Sequence, residues 1–391
     1  MKNIHYLWAK TDQKNNTNDY HPLLYHMLDS HNVCKEFLRV QNIPLDIFSK
    51  ELGILESECI DWISFLVGLH DIGKCSESFQ KRSVIHYKNL LNNTNLKFNK
   101  RIYISDDIYK HQNITNLYFP FILNKFFNIN SHTSKYIGTI LSGHHGEYRN
   151  ETRYKIITLE PLKPLCEELV KEYIEVIKFN PKSFLDIKKY TFNNKINILL
   201  SGFVVLSDWI SSDKKLFSFS SMMIDPYEYQ ELSKSKSKES LISMKMNTNN
   251  TIDDRSFEEM FPFTPRGVQN NVIDIFEKNN PKIIIIEVPT GEGKTEASFY
   301  AQEKFYINNN QRGSYIALPT MTTSNQMYTR YKDFLLGNSG IASTNLNLIH
   351  GFSKYDKQID TDKVECDSWF IPKKIALLAQ YGVGTIDQSF M

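Results

Sequence analysis

Seven residues along the first half of the chain come in types and an order that suit metal-ion chemistry: His26, the adjacent pair His70–Asp71, His111, the tandem His144–His145, and Asp208. Neutral imidazoles and carboxylates are common ligands of divalent metals, and in a helical protein they converge one or two per helix. Five imidazoles against two carboxylates favour iron, manganese, cobalt or nickel over magnesium, which prefers oxygen ligands. Two such ions close together lower the pKa of a bridging water and clamp a phosphodiester for in-line attack. The local context agrees. Gly143 and Gly146 flank the tandem pair, as suits a loop bent closely round an ion, and Asp208 sits in the apolar phrase LSDWI, where a lone carboxylate is costly to bury. Lys74, one helical turn beyond His70, is placed to neutralise charge on a phosphorane-like transition state, its plain alternative being a surface salt bridge. Any one of these residues alone would be an ordinary hydrogen-bonded side chain, and His5, His31, His86, His132 and His350 are read that way. The ordered set H…HD…H…HH…D carries the metal reading.

A second chemical phrase lies at residues 287–296, EVPTGEGKTE. Gly291 and Gly293 let backbone N–H groups wrap phosphates, Lys294 reaches the β- and γ-phosphates, and Thr295 offers a hydroxyl to magnesium. Thr290, Glu292 and Glu296 complete the expected site for ATP with magnesium. The strict loop pattern begins with glycine where this chain has Val288; PTGxGKT is the form found in superfamily 2 helicases. Upstream, FTPRGVQ, with Phe263 and Gln269, looks like an adenine-reading Q motif, and ALPTMTTSNQM at 317–327 looks like the strand end that touches single-stranded DNA.

The elements that must hold these residues differ between the two halves. Over 1–232, apolar helical stretches alternate with polar loops. Pro22–Val40 reads as a first helix, and Asp61–Leu69 as an apolar helix that Gly73 stops. Ile196–Ile210 is apolar on nearly every face, like a central buried helix. This predicts an all-α metal-binding domain. A polar linker is expected over 233–258, where SKSKSKES and MNTNNT are poor in apolar residues. From 259 to 391 the pattern is strand, phosphate loop, helix, strand: Lys282–Val288 is a β-branched run, Glu296–Phe305 forms a helix, and Ser314–Leu318 is a second strand. That is the opening of a parallel α/β sheet.

Composition excludes several classes. The balance of 46 basic against 44 acidic residues, net +2, is no polycation, so contact with nucleic acid must come from a local groove. Five scattered cysteines without a CxxC pair argue against a zinc ribbon or a disulfide framework and suit a reducing compartment. The start MKNIHYLWAK lacks a signal-peptide core, and the longest apolar runs fall well short of the about 20 residues a membrane span needs. A cytoplasmic protein without membrane association is expected.

The phrases LWAK, HPLLYHMLD, HDIGK followed by Phe79–Gln80, SGHHG and LSDWI resemble, in order, the HD nuclease domain of the type I CRISPR-associated helicase–nuclease family. WFIPKKIALLA and VGTIDQ in the second half resemble the helicase part of the same family. The resemblance implies that His26, His70, Asp71 and Asp208 hold one metal, and that Asp71 bridges to a second held by His111, His144 and His145. It implies an HD-type helical domain followed by a partial RecA-like (P-loop) domain, with a metal-dependent nuclease that uses Asp71 and Lys74 on single-stranded DNA. The implied partner is the RNA-guided CRISPR surveillance complex. In that family a DEAH-type box, a second RecA-like lobe and its arginine finger follow, and none lies within these 391 residues; the chain is therefore expected to bind ATP without working as a motor. Two other readings compete: an HD phosphohydrolase of nucleotides or cyclic dinucleotides, which shares the core ligands, and a non-catalytic fragment that docks on the surveillance complex.

Overall fold

The computed structural model describes residues 2–11, 19–96, 110–146, 148, 163–180, 194–219, 224–246, 252–309, 311, 313–339, 341, 343–350, 370 and 375–390. They form two compact units, 1–241 and 242–391. Among the described residues no helix is long and apolar enough to cross a membrane.

The first unit opens with an antiparallel hairpin, β1 (Trp8–Thr11) against β2 (Tyr20–Pro22). Apart from that hairpin it is helical, so the expectation of an all-helical half needs one small correction. Helices α1 (Leu23–Val40), α2 (Asn42–Leu52) and α3 (Glu56–Gly68) come next. Pro22, with φ −57°, leads directly into α1, whose Leu24, Met27, Leu28 and Leu38 are buried at helical spacing. Glu56 and Glu58 favour the N-terminal end of the α3 dipole, and Trp62 and Phe65 bury its inner face. The helix ends at Gly68 rather than running to Gly73.

Short helices α4 (Glu77–Gln80) and α5 (Val84–Asn93) are followed by the hairpin of α6 (His111–Phe127) and α7 (Ser131–Ser142). Next come α8 (Lys163–Ile177), α9 (Asn194–Ser211) and α10 (Pro226–Ser243). In α9 Leu200, Val204 and Ile210 are buried but Ile198 is 73% exposed, so the expected central helix keeps one open face. Most of the apolar core lies where α1, α3, α6 and α9 meet, with Phe65 stacked on Phe179 at 4.1 Å and Trp62 edge-on to both Phe127 and Phe179.

Helix α10 corrects the start of the expected linker. SKSKSKES is helical, and Ser233, Ser237 and Ser240 are buried at helical spacing. The inner face is built of hydroxyls rather than hydrocarbon: Ser233 donates to Asp29 at 2.7 Å and accepts from Asn32 at 2.9 Å. Most of MNTNNT lies outside the described residues.

The second unit holds α11 (Phe257–Met260), α12 (Gly267–Lys278), α13 (Lys294–Asn309) and α14 (Met321–Leu336). Three parallel strands, β3 (Ser314–Leu318), β4 (Leu346–Ile349) and β5 (Tyr381–Thr385), lie in the order β3-β5-β4, with Ser314 and Leu346 both level with Tyr381. Central β5 is buried throughout. The expected strand at Lys282–Val288 joins no ladder among the described residues. Ile284 and Ile286 pack beside Phe257, Val272 and Tyr300, while Ile283 and Ile285 are 81% and 87% exposed. The run keeps the period-2 alternation of a strand, but among the described residues no neighbouring backbone forms a ladder with it. The result is a helical HD-type unit followed by a partial RecA-like unit.

Candidate metal centre and phosphate loop

Five elements of the first unit bring the metal candidates together. His26 stands on α1, and Asp208 in the last turn of α9. His70 and Asp71 fall just beyond α3, in a turn that continues as a 3-10 segment, Ile72–Cys75, carrying Lys74. His111 is the first residue of α6, and His144 and His145 share a 3-10 turn, Gly143–His145, after α7. Gly73 fixes how closely these pieces approach. A Cβ on Gly73 would lie 2.0 Å from the carbonyl oxygen of His111, so only glycine lets the turn meet the start of α6. Thr115 fastens the contact by accepting from the Gly73 N–H at 3.0 Å and donating to the His70 carbonyl at 3.1 Å.

Asp71 is the hub. Its Oδ2 lies 3.1 Å from His26 Nε2 and 3.4 Å from His70 Nε2, while its Oδ1 lies 3.2 Å from His111 Nε2 and 3.5 Å from His144 Nε2. Asp208 Oδ1 closes the first set, 3.3 Å from His26 and 3.6 Å from His70. His145 Nε2 joins the second set, 3.1 Å from His111 Nε2. Within each group, His26–His70–Asp71–Asp208 and His111–His144–His145, one donor atom per residue lies within 4.8 Å of the others. Nδ1 of His70 and of His144 each meets a backbone carbonyl at 2.9 Å, that of Val67 and of Leu141 respectively. Those bonds hold the proton on Nδ1 and turn Nε2 towards the carboxylates, the arrangement a metal-ligating imidazole needs. Nε2 of His26, His70 and His144 and both oxygens of Asp71 are buried without a hydrogen bond of acceptable geometry. Orphaned buried lone pairs facing one another are what a cation would satisfy, so this donor set fits divalent metal.

The electrostatics leave four of the five imidazoles neutral and both carboxylates ionised, as ligation needs, and charge His70 until an ion displaces its proton. Burial lowers the pKa of His26 and of His145, and lowers His111 to about 4 and His144 to about 3, so these rings are neutral at neutral pH. Burial also opposes charge on His70, but Asp71 and Asp208 outweigh it and push the ring up to about 9. Burial works against the Asp71 carboxylate too; Lys74 and His70 overcome it and hold the group well below the usual range. Asp208 is held low in the same way by Lys10, His26 and His70. Lys74, 2.5 Å from Asp71 Oδ2, is lowered to about 8 by burial, in part offset by Asp71.

Several supporting residues carry no spacing signature and were missed in the sequence. Lys10 reaches the centre from β1, with its Nζ 3.2 Å from Asp208 Oδ1. Gln80 is wholly buried and ties β1 to the segment that carries Lys74. Asp29, one turn beyond His26, is buried against His21 at 2.6 Å and Tyr229 at 2.9 Å. For Lys10 and Gln80 the only available signals were the phrases LWAK and Phe79–Gln80.

In the second unit the phosphate loop runs into α13, with φ +94° at Gly291 and +81° at Gly293. Thr290, Gly291 and Glu292 are exposed, whereas Gly293 to Glu296 are half-buried. Lys294 Nζ donates to the carbonyls of Val288 at 2.6 Å and Pro289 at 3.0 Å. Gln269 is buried against the loop, accepting from Arg266 N–H at 2.8 Å and donating to the Gly293 carbonyl at 3.2 Å. Its side chain therefore braces the loop. Arg330 of α14 reaches Thr295 Oγ1 at 3.5 Å and Glu296 at 2.5 Å.

Residues 8–217 match the family described as Cas3, HD domain. The chain is 27% identical to the CRISPR-associated endonuclease/helicase Cas3 of Thermus thermophilus, over 98% of this chain and 43% of that protein. It is 25% identical to the CRISPR-associated nuclease/helicase Cas3 of Streptococcus thermophilus, over 100% of this chain and 46% of that protein. It thus spans less than half the length of these curated relatives. Among solved structures, T. fusca Cas3 with AMPPNP superposes with a TM-score of 0.79 at 24% identity, covering 99% of this chain and 44% of that one. A chain of a CRISPR RNA-guided surveillance complex, pre-nicking, gives a TM-score of 0.62 at 20% identity, covering 99% and 40%. Both share the fold. Since the matched span is more than half of the 391 residues and contains every candidate ligand from His26 to Asp208, the chain belongs to the Cas3 HD-domain family.

Proposed function

We propose that this chain is a metal-dependent phosphodiesterase that cleaves single-stranded DNA in CRISPR interference, acting in the cytoplasm with an RNA-guided surveillance complex. The observation that carries the reading is Asp71, whose two oxygens face two separate sets of imidazoles in a buried, otherwise unsatisfied cluster. His26, His70, Asp71 and Asp208 would hold one ion and His111, His144 and His145 the other, with Asp71 between them. Two ions of iron, manganese, cobalt or nickel would supply a Lewis acid and an activated water. The chain's own residues supply the rest. The backbone carbonyls of Val67 and Leu141 orient two imidazoles, burial keeps the ligands desolvated, and Lys74 places positive charge beside Asp71 as charge grows on the phosphate. In hydrolysis the water oxygen bonds to phosphorus, the P–O bond to one nucleotide breaks, and the departing oxygen takes up a proton. Thr290, Gly291, Glu292, Gly293, Lys294, Thr295 and Glu296, braced by Gln269, would bind ATP with magnesium.

Single-stranded DNA is favoured over nucleotides or cyclic dinucleotides because a phosphate loop and a parallel sheet follow the metal unit on the same chain. The relatives named nuclease/helicase and the surveillance-complex relative support DNA and that complex as partners over a non-catalytic docking role. The test is metal content alongside nicking of circular single-stranded DNA with manganese, cobalt, nickel or iron and no ATP. The unaltered chain is expected to hold about two ions and to nick. Asp71→Ala should lose both metal and nicking, and Lys74→Ala should keep its metal but turn over more slowly, because an ammonium is no ligand. Near-normal nicking by Asp71→Ala would defeat the assignment.

A further inference from the structure

The hairpin ahead of α1 delivers a second cation, Lys10, to the cluster. Lys10 Nζ approaches the same Asp208 oxygen that faces His26 and His70. Asp208 Oδ1 already accepts from Ser212 at 2.9 Å, so it does not lack a hydrogen-bond donor. The two lysines of the centre also differ in access. The Lys74 side chain is 5% exposed and lies against Asp71, whereas that of Lys10 is 25% exposed. Lys74 is therefore enclosed, and Lys10 is the more accessible of the two.

A single amide fixes the spacing between them. Gln80 Oε1 accepts from the Trp8 N–H at 3.2 Å, and Gln80 Nε2 donates to the Trp8 carbonyl at 2.9 Å and to the Lys74 carbonyl at 2.7 Å. The Trp8 indole donates to the Gln80 carbonyl at 3.1 Å and packs on Phe79 at 4.5 Å. Both donors of the amide are thus spent on holding β1 and the Lys74 segment in register. A buried amide is expensive to place unless it is fully bonded, and here its bonds determine where both cations sit.

We propose that Lys10 is a catalytic residue that touches a non-bridging oxygen of the scissile phosphate from beside Asp208, with Gln80 as its positioning residue. The proposal rests on the phosphodiesterase reading above. An ammonium held in place before reaction stabilises charge that grows on the phosphate oxygens without reorganising as it does so. The pairing with Asp208 aims Lys10 at the cluster, and its side chain is the more accessible of the two lysines there.

The test uses the full chain loaded with cobalt and titrated with inorganic phosphate, followed by the visible spectrum of the bound cobalt. Turnover is read in parallel with bis(p-nitrophenyl) phosphate. Lys10→Ala is expected to bind as much cobalt as the unaltered chain and to bind phosphate about tenfold more weakly. Its kcat should fall about 10²-fold, and Lys10→Arg should recover most of both losses. Gln80→Ala should shift phosphate affinity in the same direction by less. Unchanged phosphate affinity in Lys10→Ala overturns the proposal, as does loss of cobalt in step with activity, which would make Lys10 a prop for Asp208. A chain that binds cobalt, and phosphate in a Lys10-dependent way, yet hydrolyses no diester sinks the proposed function while keeping Lys10 as the phosphate contact. A chain that binds no cobalt ends both.

Discussion

His26 and His31 lie five residues apart on α1, and both are buried, yet only His26 faces carboxylates. His31 Nδ1 lies 3.1 Å from the hydroxyl of Tyr173. Burial, reinforced by Lys35, Lys234 and Arg39, lowers its pKa to about 3. A histidine lowered in the folded state contributes nothing above its unfolded pKa of about 6.5. Below that value the unfolded chain takes up a proton that the native chain refuses, so stability falls by about 1.4 kcal/mol per pH unit until the folded pKa is reached. His31→Gln should therefore lose less stability than the unaltered chain between pH 6 and pH 4, by about one proton's worth of slope. Denaturant titrations across that range would measure the difference, and parallel slopes would contradict it. At this scale the order of histidines and aspartates in the sequence was enough to name the cluster, because ligand types are few and chemically distinct. Even His111, within the uninformative KHQN, comes to 3.2 Å from Asp71. Lys10 was illegible for the opposite reason: a lysine on a short strand has no spacing rule.

The expectations for whole elements succeeded where apolar periodicity was strong and failed where a partner decides the outcome. Helices α1 and α13 and strand β3 follow their residue patterns closely. Helix α10 escaped because hydropathy does not register a face of serines that meets a polar face of α1. Lys282–Val288 has a strand's residues, but pairing is a property of two segments and no single run encodes it. The polar contact between α1 and α10 is as consequential as an apolar one. Asp29 is fully buried and receives Ser233 at 2.7 Å and Tyr229 at 2.9 Å, with His21 Nε2 2.6 Å away. Removing the carboxylate strands three polar groups in the interior, for which about 3–5 kcal/mol is the usual cost. Asp29→Ala is expected to lose that much in equilibrium unfolding, with α10 losing amide-exchange protection first. A loss under about 1 kcal/mol would show that the network is easily replaced.

For the molecule as a whole, the two units differ in how they bury apolar side chains. The first has one large core and a small satellite of Trp8, Tyr20 and Phe79, whereas the second divides its apolar side chains between two smaller clusters, one around Tyr331 and Tyr381 and one around Phe257 and Tyr300. Ile283 and Ile285 are exposed, on an extended run that joins no ladder among the described residues, and such an edge is a weak point. Residues 259–391 should thus be cut by a broad-specificity protease before the helical unit is. The phosphate loop bears on ATP. Lys294 is held by the carbonyls of Val288 and Pro289, bonds that a β- or γ-phosphate must replace, so weak nucleotide binding that Lys294→Ala abolishes is expected. Hydrolysis asks for more: an acidic group to fix magnesium and water, and a cation from a facing lobe worth about 10³–10⁵ in rate. Phosphate release with and without single-stranded DNA measures turnover, and Lys294→Ala should abolish whatever turnover the chain has. Turnover that survives Lys294→Ala would show that the loop is not the phosphate site; the first candidate for the acidic group is Asp387, which stands two residues beyond the C-terminal end of β5, where parallel sheets present their ligand-binding groups.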